Sequence, residues 1–219
     1  MKQVAESIAR IGIFVKTSFE LCNLSFGELW YLTQSPRSED EIKLSKDHTL
    51  HFYGVTLQYC FIMEYTKLLE KDDESNKTNI ASLFKLNNRL KESLKVSYEN
   101  KYAENSRLLE EIINSSLCKK IKDLRNQKFG HADGSSSNNP FSVKGFTGNE
   151  IDKILIHIKT ILKVMNNCLT EFEGEFLAKI PHHDKRTANF IKYHAVYQKY
   201  YHDNYEKAYL GGYKLNNGG

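Results

Sequence analysis

The chain has 219 residues, 40% of them apolar, enough for a packed core, and its 31 basic against 27 acidic residues leave a net charge of +4. That balance is compatible with a nucleic-acid partner and excludes a polybasic tail as the binding element. Four cysteines without a C-x-x-C pair argue against a zinc site or a disulfide framework, and no apolar run approaches the roughly 20 residues of a membrane span.

Cys22, Cys60, Cys118 and Cys168 are accordingly expected as reduced, buried thiols in a cytoplasmic protein. At the N-terminus, Glu6 and Arg10 interrupt the apolar pattern before a signal-peptide core forms. Val4, Ile8, Ile11, Val15, Phe19 and Phe26 mostly recur at three- to four-residue spacings and predict one or two helices over 3–32. Pro36 sits in the polar connector 35–41. Ser45 is the candidate N-cap of a helix over 49–70, whose stretch 54–63 is apolar nearly all round and is expected in the middle of a bundle. After the charged loop 71–79, Leu83, Phe84, Leu86 and Leu90 predict a short helix over 80–94; residues 95–103 are ambiguous.

Leu108, Ile112, Leu117, Ile121 and Leu124 form an apolar stripe that predicts one long helix over 104–129, with Lys119, Lys120 and Lys122 on its other faces. Thr147 and Glu150 have the spacing of a capping box. They open a helix whose apolar face is Ile151, Ile154, Leu155, Ile158, Leu162, Met165 and Leu169. Pro181 breaks the chain, a tyrosine-rich helix is expected over 185–209, and the tail 211–219 is expected to be disordered. No strand alternation with hairpin turns and no internal repeat is found. The fold class is therefore all-α, a helical bundle of four to five main helices. The bundle is assigned to 1–180, with its core at about 50–172 and an N-terminal helical extension over 1–40. The tyrosine-rich segment 181–210 is expected to pack on the bundle or at a dimer interface.

At the end of the helix predicted over 104–129 stand Arg125, Asn126 and His131, followed by the loop-forming run Gly134-Ser135-Ser136-Ser137-Asn138-Asn139-Pro140. Arginine is a permanent cation with a fork shaped for phosphate. Histidine exchanges a proton near neutral pH. With a neighbouring amide they form a set suited to cleaving a phosphodiester without a metal. In an ideal helix Arg125 and His131 lie roughly 9 Å apart along the axis and about 120° apart in direction. Either the helix ends near Gly130 and folds His131 back, or two chains share the site.

The arrangement Arg125-Asn126-x4-His131, at a helix end and followed by a polar loop and a second long helix, resembles the HEPN superfamily. The longer string Leu124 to Asp133 is most similar to the abortive-infection branch, from which Gln127 and Gly130 depart. The resemblance covers about residues 50–172. It implies a metal-independent endoribonuclease, without a cofactor, working as a homodimer in toxin–antitoxin or phage-defence systems. It also implies a possible antitoxin or defence partner protein. Arg125 binds the scissile phosphate, Asn126 orients the phosphate or the imidazole, and His131 is the general acid/base. A tyrosine two positions after the histidine is modified in some members; here that position is Asp133. The alternative is a non-catalytic HEPN-like helical module that binds a protein partner or a nucleotide.

Several neighbours keep two readings. Glu64 either orients Arg125 or pairs with Lys67 three residues on, the second being the commoner use of such spacing. Lys128 and Asp133 flank the motif and count as supporting residues. Lys119, Lys120 and Lys122 either face RNA or form a solvated helix side. The tyrosines of 185–209 either stack bases or pack. His182-His183-Asp184 and the His48/His51 pair lack the further ligands of a metal site.

Overall fold

A computed structural model describes residues 2–33, 39, 48–72, 81–126 and 146–173. Among these, 92% are helical and no strand occurs. The elements are α1 (Lys2–Thr33), α2 (His48–Leu68), α3 (Leu83–Leu94), a 3₁₀ turn (Lys95–Tyr98), α4 (Glu99–Ile113), α5 (Ser116–Leu124) and α6 (Gly148–Glu173). The all-α expectation holds. Among the described residues no helix is long and apolar enough to cross a membrane.

Residues 3–32 form one helix rather than two, and it belongs to the core. Ile8, Ile11, Val15, Phe19, Cys22 and Phe26, on one face of α1, are all buried. α1 packs most extensively on α2, where the Phe26 and Phe61 rings meet at 5.3 Å. It also crosses α6 closely at Gly12, where a Cβ would lie 3.1 Å from Leu169 Cδ2. α1 is thus part of the packing that an assignment of the core to about 50–172 leaves out.

The helix over 49–70 was expected to be covered all round, and α2 is not. Phe61, Ile62, Tyr65 and Leu68 are buried, but Phe52 and Tyr59 are 65% and 44% exposed. Polar Gln58 is buried instead, with its Oε1 unpartnered.

The predicted helix over 104–129 is two helices. It starts earlier, at Glu99, and breaks at Asn114 and Ser115. Ser115 leaves helical geometry (φ −67°, ψ 147°), and its hydroxyl accepts the Cys118 N–H at 3.1 Å, capping α5. This is ordinary N-capping, which satisfies an N–H that a helix start leaves without a carbonyl. The new start preserves burial, since Ile112 and Ile113 end one helix and Leu117, Cys118 and Ile121 begin the next.

The capping box forms as expected. Thr147 Oγ1 accepts the Glu150 N–H at 3.3 Å, and Glu150 Oε2 accepts the Thr147 N–H at 2.8 Å. From there α6 buries Ile154, Ile158, Ile161, Val164, Met165, Cys168 and Leu169. Inside the bundle lies a polar knot. The Tyr98 hydroxyl donates to Asn87 Oδ1 at 2.8 Å, Asn105 Nδ2 donates to the Tyr98 oxygen at 3.0 Å, and Asn167 Nδ2 donates to Asn105 Oδ1 at 2.9 Å. It joins α3, the 3₁₀ turn, α4 and α6.

All four cysteines are free; Cys22, Cys118 and Cys168 are buried, while Cys60 is only half-buried. The Ser45 cap, the tyrosine-rich segment 185–209 and the tail 211–219 lie outside the described residues.

Candidate functional site at the end of α5

α5 is amphipathic: Leu117, Cys118 and Ile121 face inward, while the lysines occupy the rest. Arg125 is its C-cap, in right-handed helical geometry, with its N–H bonded to the carbonyls of Ile121 and Lys122. Residues 125 and 126 continue in wider, π-type winding. A cation at this end is favoured by the helix dipole.

The Arg125 side chain is 31% exposed, and two groups engage it. Its Nε donates to Asn126 Oδ1 at 3.2 Å. Its Nη1 lies 3.9 Å from Glu70 Oε1, at the outer limit of an ion pair. Sequence reading missed Glu70, because nothing local connects it to a residue so distant along the chain.

Glu70 is held from behind. Its carbonyl accepts the Ser82 hydroxyl, and Ser82 Oγ in turn accepts the Lys85 N–H at 3.4 Å at the start of α3. Beside it, Lys71 pairs with Glu110 at 2.9 Å, and Asp72 Oδ2 accepts from Asn88 at 3.1 Å. The short stretch after α2 is therefore stitched to α3 and α4, which fixes the carboxylate facing Arg125.

Glu64 does not fill that role. Its Oε1 pairs with Lys67 Nζ at 2.6 Å, the spacing-based alternative. The three lysines also separate. Lys120 Nζ binds Glu150 Oε1 at 2.6 Å and lies 5.6 Å from the centre of the Phe146 ring. Lys122 is half-buried and Lys119 exposed. Lys119 and Lys120, with Ser116, Asp123 and Leu124, line an open groove of about 430 Å³. Lys128, His131 and Asp133 lie outside the described residues, as does the loop 134–140. The structure thus brings together Arg125, Asn126 and Glu70, with Lys119 on the same helix.

A second titratable pair lies nearer the core. The Tyr65 hydroxyl and His157 Nδ1 are 2.6 Å apart, linking α2 to α6. Burial pushes the Tyr65 hydroxyl up and lowers the His157 pKa, with Lys153 adding to the latter. Neither residue carries a sequence signal beyond its type. Among the described residues, no three of His, Cys, Asp and Glu are grouped so as to hold a metal ion.

A scan against protein-family models finds no match to this chain, and searches of curated proteins and of solved structures find none either.

Proposed function

We propose that the chain is a metal-independent endoribonuclease of HEPN type, acting as a homodimer in toxin–antitoxin or phage defence. The observation that carries this reading is a braced arginine at the end of a lysine-bearing helix, six positions before a histidine. A guanidinium held by Glu70 and Asn126 is pre-aimed, so little reorganisation is needed when charge builds on a phosphate. In the proposed step His131 takes the 2′-hydroxyl proton and that oxygen attacks the adjacent phosphorus. The P–O bond to the 5′-oxygen breaks, and the leaving oxygen picks up a proton. Arg125 binds the non-bridging oxygens throughout. The substrate supplies its own nucleophile, so no metal-bound water is required. Lys119, exposed on the same helix, suits a flanking phosphate better than Lys120, which Glu150 already neutralises.

The second reading is a non-catalytic helical module that binds a protein partner or a nucleotide. What favours it is the same engagement: an arginine already matched by Glu70 has a structural use.

The test is cleavage of a mixed RNA pool by purified protein, with and without EDTA, followed by end-group analysis. Expected are 2′,3′-cyclic phosphate or 3′-phosphate ends with 5′-hydroxyls, no inhibition by chelator, and no cut beside a 2′-deoxy nucleotide. His131→Ala should lose at least about 10²-fold, as for a lost general acid/base. A metal requirement or 5′-phosphate ends would exclude this mechanism. An inert protein that still binds RNA or a nucleotide would favour the module.

A further inference from the structure

The Tyr65–His157 pair has a built-in direction. Tyr65 is fully buried on α2, and at 2.6 Å its hydroxyl lies within hydrogen-bond reach of His157 Nδ1 on α6. The two rings stack, with an interplanar angle of 23°. A neutral imidazole has one donor and one acceptor nitrogen. With the tyrosine proton pointing at Nδ1, the ring's own proton sits on Nε2. The hydroxyl also touches the Cys118 thiol of α5, so one oxygen ties three helices.

We propose that His157 is a proton-operated latch that holds α6 against α2 while neutral and loosens it when protonated. Protonation puts hydrogen on both nitrogens, so Nδ1 no longer accepts. The tyrosine hydrogen must then turn to the Cys118 sulphur, a weak acceptor. The groups acting on this cluster offer the new charge no compensation. On α6 the charged neighbour is Lys153, a like charge. From α2 comes neutral Tyr65, from α5 neutral Cys118 with Lys122 beyond it, and from α1 the neutral thiol of Cys22. No carboxylate acts on the ring among the described residues.

The latch matters because α6 is the helix that follows the segment carrying His131. Loosening its first half alters the frame on which that segment is mounted. The inference does not depend on the chain cutting RNA.

The experiment is two-part, on the full chain. Histidine nitrogen chemical shifts across pH 8 to 5 should show His157 unprotonated at Nδ1, protonated at Nε2, and titrating below the ordinary histidine range. Hydrogen exchange over the same range, corrected for intrinsic rate, should show α6 amides around 157 losing protection relative to those of α4. Each unit by which the ring titrates below its free value is worth about tenfold in opening. His157→Gln keeps an acceptor without a titration, and should abolish the pH-dependent loss while retaining protection at pH 8. Tyr65→Phe should lower protection at pH 8. A ring protonated at Nδ1, a titration at or above the ordinary value, or an unchanged pH-dependence in His157→Gln would each overturn the proposal.

Discussion

Arg125 Nη1 lies 3.9 Å from Glu70 Oε1, and the Glu70 carbonyl is bonded by Ser82 at the start of α3. The arginine's aim is thus set by a helix it does not belong to. Because both side chains are partly exposed, the pair contributes little to stability, about 0–1 kcal/mol. Its effect should be on geometry. Arg125→Ala is expected to fold with nearly unchanged thermal stability and to lose RNA cleavage. Glu70→Gln, which keeps the shape and removes the charge, should lower kcat more than it weakens RNA binding. A Glu70→Gln protein with unchanged kcat would show that the brace is incidental to activity. A large drop in melting temperature for Arg125→Ala would mark that residue as structural.

Glu150 closes the capping box and also binds Lys120, so it joins the start of α6 to α5. The Lys120 hydrogen bond, followed by the Thr147 N–H, holds its carboxyl below the ordinary 4.5. The folded state therefore takes up this proton less readily than the unfolded chain. The resulting stability is fully present above the ordinary value and is lost as pH falls through the lowered one. Thr147→Ala should cost about 1 kcal/mol, as lost N-caps do. Urea melts of Glu150→Gln and the parent protein should differ at pH 6 and converge by pH 3. A constant difference across that range would contradict the assignment.

The stretches that sequence reads well are those where periodicity reports burial directly. The stripe of α6 and the Thr147–Glu150 box are local patterns, and both form. The break at Asn114 and Ser115 left one trace, the five-residue step from Ile112 to Leu117 in a stripe otherwise spaced by three and four. On α2 composition misled, because apolar residues on every side do not say which side meets a neighbour. Phe52 and Tyr59 face out while Gln58 faces in. The Arg125–Asn126 half of the motif was legible as a helix end. Glu70 was not, since its role arises only when α2 and α5 are brought side by side.

Assembly is the next expectation. Arg125 and His131 cannot share one face of an unbroken helix, being about 120° apart in direction. The wider winding at 125 and 126 shifts that angle at the point where the helix leaves its regular path. A homodimer with the two motif helices adjacent solves the same problem by supplying residues from both copies. Sedimentation at micromolar concentration should give a dimer, and mixing inactive Arg125→Ala with inactive His131→Ala should restore part of the cleavage. A monomer that cleaves at full rate would remove the need for a second copy.

The polar knot of α3, α4 and α6 supports a last prediction. Asn105 is fully buried and serves both sides, donating to Tyr98 and accepting from Asn167. Its amide also lies 3.6 Å from Cys168 Sγ. Asn105→Ala orphans the Asn167 amide in the interior, which costs roughly 1–3 kcal/mol per unsatisfied group. For a chain of this size that is about 2–4 °C in melting temperature per kcal/mol. Val96→Ala, at a residue 89% exposed, serves as the control and should stay within about 0.5 kcal/mol. Thiol chemistry gives a second readout. Burial pushes the Cys168 thiol up to about 12, so it is protonated and unreactive at neutral pH. A thiol reagent should label half-buried Cys60 first and the three buried cysteines only on opening. Asn105→Ala should raise the labelling rate of Cys168 in step with its lost stability. Labelling at the parental rate, with an unchanged melting temperature, would mean that water or a shifted side chain replaces the asparagine without cost.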